Sequence, residues 1–66
     1  MTNDQIIDEL KHLNGTRYVP SVRAYIQEMS GRALVLGPGD MHTHDFNAQR
    51  IHIIVDEQRI LGLHFS

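Results

Sequence analysis

The sequence predicts a small α+β domain, with one main helix packed on a mixed sheet of about three strands. Three observations predict it. Apolar residues recur at helical spacing in the first half of the chain and at strand spacing in the second half. Between the first two strand-like runs lie about a dozen residues that fit neither pattern, a length that in compact domains usually marks a functional loop.

Residues 1–15 read as a short N-terminal helix. Thr2 or Asn3 can cap it, and Asp4 in its first turn favours the helix dipole. Ile6, Ile7, Leu10 and Leu13 fall on one face, and Gly15 after Asn14 offers a left-handed stop. A helix of about a dozen residues is marginal alone, so it must dock on something.

Residues 16–66 read as the core. Pro20 suits a first helical position, where its missing N–H costs nothing. Val22, Tyr25, Ile26 and Met29 form the i, i+3, i+4, i+7 stripe of a core-facing helix, which Ser30-Gly31 ends. Residues 32–36 are a short apolar run, read as a strand. Gly37-Pro38-Gly39-Asp40 punctuates the chain and opens a loop over residues 37–49. In residues 50–56, Ile51, Ile53 and Val55 point one way as core residues. Arg50, His52, Ile54 and Asp56 point to the other, solvent side. A turn at Asp56-Glu57-Gln58 leads to a third strand, residues 59–65, where Gly62 suggests a bulge. If the first two strands are parallel, the long loop is their crossover.

A chain of 66 residues buries only about 60% of its unfolded surface. It has no cysteine, so no disulfide supports that core. The net charge is −2 with histidine neutral, and the six basic residues are dispersed. This argues against a nucleic-acid partner. No apolar run approaches the roughly 20 residues that span a membrane. Met1-Thr2-Asn3-Asp4 has neither a basic start nor an apolar core, so the chain as written is expected in the cytoplasm. It is expected outside, secreted or periplasmic, if a signal was removed.

Gly37-Pro38-Gly39-Asp40, Met41-His42-Thr43-His44-Asp45-Phe46 and Arg50-Ile51-His52-Ile53-Ile54-Val55-Asp56 together resemble the potato inhibitor I family of chymotrypsin inhibitor 2 and the eglins. Within it they are most similar to the small bacterial and fungal elastase-inhibitor-like members. Leu13-Asn14-Gly15 resembles the family's Leu-x-Gly entry to the main helix. The resemblance implies a serine protease inhibitor, not an enzyme, with no cofactor and a subtilisin-, chymotrypsin- or elastase-like target. It makes residues 41–46 the protease-binding loop: Met41, His42, Thr43, His44, Asp45 and Phe46. It places His44 in the protease's specificity pocket and makes the bond between His44 and Asp45 the reactive one. Thr43, Asp45, Arg50 and His52 become loop supports, Arg50 offering a planar donor fork suited to the Asp45 carboxylate. Histidine at the specificity position departs from the large apolar residues that such pockets favour.

Other readings of the same residues are weaker. Two histidines at His42 and His44, with His52 or His64 nearby, could form a zinc site, but the spacing is no structural zinc signature. A hydrolase of His44, Asp45 and Ser21 or Ser30 lacks a nucleophile elbow. Gly37-Pro38-Gly39 lacks the Lys-Ser/Thr of a phosphate loop. Arg50 could equally be a solvated strand charge. A non-inhibitory interaction module on the same scaffold is the runner-up. The N-terminal helix either covers one edge of the domain or forms a self-association surface, and the sequence leaves both open.

Overall fold

The computed structural model describes residues 2–41 and 45–66. Helix α1 (Asn3–Leu10) runs into a 3-10 turn (Lys11–Leu13). Helix α2 (Pro20–Ser30), strand β1 (Val35–Leu36), strand β2 (Ile51–Asp56) and strand β3 (Arg59–Phe65) follow. The sheet order is β1-β2-β3. β1 pairs parallel to β2, so residues 37–50 make the crossover, and β2 pairs antiparallel to β3. This is the α+β architecture expected from the sequence. No helix among the described residues is long and apolar enough to cross a membrane.

Thr2 caps α1 through a capping box. Its hydroxyl accepts from the Gln5 amide, and the Gln5 side chain accepts from the Thr2 amide. Ile6 and Leu10 are buried and Leu13 packs against the same cluster, but Ile7 is 43% exposed. Three consecutive turns on one flat contact need only one residue each, and Ile7 lies to the side of that line.

Val19 before Pro20 is extended, as the ring of Pro20 requires, and Pro20 takes the first turn of α2. The stripe that faces the sheet is Val22, Ile26 and Ser30, spaced by four. Tyr25 and Met29, expected in the core, are 38% and 44% exposed. Tyr25 instead meets His12 from the 3-10 turn, hydroxyl to Nε2 at 3.2 Å. The hydroxyl of buried Ser30 bonds back to the Ile26 carbonyl at 2.6 Å. Such back-bonding lets a small polar residue occupy an apolar seam. Gly31 then takes a left-handed conformation (φ 71°), which a residue with a Cβ adopts only under strain, and its amide closes on the Gln27 carbonyl.

β1 is shorter than the apolar run 32–36 suggests: Leu34 is 48% exposed, and pairing starts at Val35 with Ile51. On β2 and β3, three inward pairs build the core side of the sheet: Ile51 with Phe65, Ile53 with Leu63 and Val55 with Ile60. Ile60 and Leu63 are an odd number of residues apart, so a regular strand would send them to opposite faces. The register shifts between Ile54 and Val55, where Ile54 faces Gly62 and Val55 faces Ile60. Leu61 is left as the extra residue of a bulge. Both helices pack on this inward face, around Ile6, Leu10, Ile26, Val35, Ile51, Ile53 and Ile60. Residues 15–18 run along the outer edge of β3, through Gly15 N–H to Ile60 O, Ile60 N–H to Thr16 O and Tyr18 N–H to Gln58 O, at 2.7, 2.8 and 2.8 Å. That edge is therefore covered over its first residues.

The β2–β3 hairpin turns through Glu57 (φ 50°) and Gln58 (φ 68°), both left-handed and neither glycine. Two positive φ values define the turn that matches strand twist, and Asn-Gly fits it best. Replacing Glu57→Asn together with Gln58→Gly is expected to stabilise the fold by about 1–2 kcal/mol. The urea midpoint checks this; an unchanged or lower midpoint refutes the strain.

Candidate functional site

The segment between β1 and β2 is held at both ends. At its start, Pro38 and Gly39 (φ 82°) occupy the centre of a type II turn closed by Asp40 N–H to Gly37 O at 3.2 Å. The Asp40 carboxylate accepts from the Gly37 amide at 2.8 Å and from Arg23 of α2 at 3.2 Å. Tyr18 lies against Gly37 so closely that a Cβ there would run into its hydroxyl. Any side chain at this position would have to displace Tyr18.

At its end, Asn47 makes a turn: its side-chain oxygen accepts from the Gln49 amide at 2.9 Å, and its carbonyl from the Arg50 amide at 3.0 Å. Arg50 follows immediately before β2. Strand alternation predicts a solvent-facing side chain, but it is only 7% exposed. Nε donates to the Ser66 oxygen at 2.7 Å and Nη2 to the Asp45 carbonyl at 2.6 Å. The guanidinium thus grips a main-chain oxygen of Asp45. Burying a charge is costly unless its donors are used. Among the described residues no buried side-chain nitrogen or oxygen lacks a partner. His52 reaches the same Ser66 oxygen with Nε2 at 2.9 Å. That oxygen can only accept, so Nε2 carries a proton.

Two further residues, Arg32 and Asn3, hold this stretch, and no sequence pattern marks either as a support. Arg32 lies just past the Gly31 cap. Its Nη1 sits 3.5 Å from the Ala48 carbonyl and 3.3 Å from that of Gln49, and its Nη2 donates to Asn3 Oδ1 at 2.7 Å. Asn3 in turn donates to Ala48 O at 3.1 Å. Nothing in the spacing of Asn3, Arg32 and Ala48 announces this meeting. The signal available was the arginine placed directly after a helix-ending glycine.

Between the two anchored ends the flanks are presented to solvent. Met41 is 95% and Phe46 75% exposed, and Asp45 is exposed too. Large apolar groups held out in this way on a small protein suit contact with a partner. His42, Thr43 and His44, expected in the protease-binding loop, lie outside the described residues. Among the described residues no group of three or more His, Cys, Asp or Glu stands close enough to hold a metal ion. His52 and His64 face each other across β2 and β3 with ring centroids 6.3 Å apart.

The Gly37 amide, with the Arg23 guanidinium behind it, holds the Asp40 carboxyl below the ordinary aspartate value despite some opposing desolvation. A depressed carboxylate contributes stability above its unfolded value and loses it as pH falls through the folded one. The Asp40 turn is therefore expected to loosen only at pH below about 4. A carboxyl-carbon NMR titration should show Asp40 titrating below the ordinary aspartate value. A midpoint at or above that of aspartate in an unstructured peptide would refute the turn's hold on it.

No curated protein and no solved structure matches the chain. The model of the peptidase inhibitor I78 family matches residues 8–64, from the last turn of α1 through almost all of β3. That span covers the buried core residues other than Ile6, the turn at Gly37, the segment between β1 and β2, and Arg50. The chain belongs to the peptidase inhibitor I78 family: it is a non-enzymatic inhibitor whose partner is a peptidase.

Proposed function

We propose that the chain inhibits a serine protease of the subtilisin, chymotrypsin or elastase kind, in the manner of the potato inhibitor I proteins its sequence resembles. In this reading residues 41–46 lie in the protease cleft as a substrate would. Thr43 precedes the specificity residue, His44 enters the pocket, and the bond between His44 and Asp45 is the one presented for cleavage. The loop, residues 37–49, is the functional part of a single domain spanning residues 1–66.

The observation that carries this reading is the buried Arg50 guanidinium on the carbonyl of Asp45, which is exposed together with Phe46. A substrate loses its leaving strand once the protease serine has taken the acyl group. Here Asp45, on the leaving side, stays attached to the protein through Arg50. Its new amine remains beside the acyl carbon and can re-form the bond before water enters. A loop already held also surrenders little entropy on binding. The expected interface is roughly 800 Å² on each partner.

Residual activity of subtilisin, chymotrypsin and elastase against a concentration series of the protein tests the reading. Inhibition of at least one, at near-stoichiometric amounts, is expected, and none at all sinks it. His44→Leu is expected to tighten inhibition of subtilisin and chymotrypsin about tenfold or more, since those pockets reward apolar burial by roughly 1.5–3 kcal/mol. An unchanged inhibition constant removes His44 from the specificity position. Arg50→Ala gives up charge-assisted bonds of roughly 1.5–3 kcal/mol and should turn the loop into a substrate. Mass spectrometry after incubation with protease should find a cut between His44 and Asp45. An intact chain would count against the support role.

A further inference from the structure

The family match begins at residue 8, yet one of the groups holding the exposed segment lies upstream of it. Asn3 is the first residue of α1, and the Thr2 and Gln5 capping box fixes the turn that carries it. Its amide serves two partners at once. Nδ2 donates to the Ala48 carbonyl at 3.1 Å, and Oδ1 accepts from Arg32 Nη2 at 2.7 Å. The other arm of Arg32 reaches the Ala48 and Gln49 carbonyls at 3.5 and 3.3 Å. The guanidinium carbon also lies 5.8 Å from the centre of the Phe65 ring, within cation–π range. Arg32 is half-buried, so these bonds are partly shielded from water.

We propose that Asn3 and Arg32 form a positioning clamp that sets how long the loop survives in the protease, a device that the start of α1 adds to the matched family segment. The proposal rests on the inhibitory reading above and extends it. Arg50 holds Asp45, the clamp holds Ala48 and Gln49, and the Asn47 turn joins the two. Residues 45–50 therefore form a limb fixed at both ends. With the clamp open, the limb pivots about its Arg50 anchor and the new amine at Asp45 drifts from the acyl carbon. The residue types are specific. Asparagine alone among the acids and their amides of this size supplies a donor to Ala48 and an acceptor to Arg32. Lysine at position 32 would keep the charge but lose the planar fork that spans several oxygens.

The test compares Asn3→Ala, Asn3→Asp and Arg32→Lys with wild type. Ile60→Val serves as a stability-lowering control, at the end of the sheet away from the loop. Amide exchange at Gln49 and Arg50 is measured in the free protein, and loop cleavage by subtilisin is followed by mass spectrometry. Asn3→Ala and Arg32→Lys should speed both by about tenfold, the factor expected for one bond to a charged group. Asn3→Asp, which keeps the Arg32 bond and loses the one to Ala48, should fall between. Ile60→Val should leave the ratio of cleavage to global unfolding unchanged. Exchange that does not rise in Asn3→Ala overturns the clamp, and so does faster exchange with unaltered cleavage. If the wild type inhibits none of the proteases, the inhibitory reading and the clamp's role in loop survival fall together, and exchange alone still reports whether the clamp exists.

Discussion

The register of β3 on β2 decides where the end of the chain lies, and the exposed segment leans on that end. The bulge at Leu61 carries one residue out of the alternation, so that Ile60, Leu63 and Phe65 all reach the inward face. With that parity, Phe65 comes beneath Arg32 and Ser66 comes beside Arg50. Ser66 N–H also donates to the Arg50 carbonyl at 3.2 Å, continuing the ladder one step past the strand. A slip by one residue would turn Leu63 and Phe65 outward and carry the Ser66 oxygen away from both Arg50 and His52. Core packing and loop support thus answer to the same alignment.

The chain has no cysteine, so hydrogen bonds replace the covalent staple that small domains often use. Their common feature is the acceptor: guanidinium groups and an amide are directed at the carbonyls of Asp45, Ala48 and Gln49. Carbonyls are present whatever the side chain, so the brace fixes backbone course and leaves the side chains of the exposed segment free to vary with the partner. The two ends are unequal. The pair of Arg23 and Asp40 lies at the surface, where water screens it and it contributes little. Arg50 is buried, and each of its bonds to a carbonyl is of the stronger, charge-assisted kind.

Much of the fold could be read from the chain because its signals are local. The helix start at Pro20, the stop at Gly31, the alternation of Ile51 and Ile53 and the bulge beside Gly62 are each encoded within a few residues. Tyr25, Met29 and Ile7 were misread because helical periodicity marks a wide arc, whereas a small sheet covers a narrow one. The strand at 32–36 shrank because only Val35 and Leu36 find partners on β2. Arg50 reads from the sequence as a solvent-side residue of the strand, and its burial and its bond to Ser66 depend on the end of β3, which pattern alone does not bring near. Asn3 and Arg32 stayed hidden for the same reason, since their partners lie 45 and 16 or 17 positions away.

The two guanidinium groups and Asn3 tie residues 45–50 to α1 and to the end of β3. Contacts of such long sequence separation close late in folding, after the entropy of the intervening chain has been spent. The course of residues 45–50 is therefore set only when β3 closes on β2 and brings Phe65 under Arg32 and Ser66 beside Arg50. Any opening of β3 from β2 releases both holds together, so the order of this stretch follows the opening of the sheet.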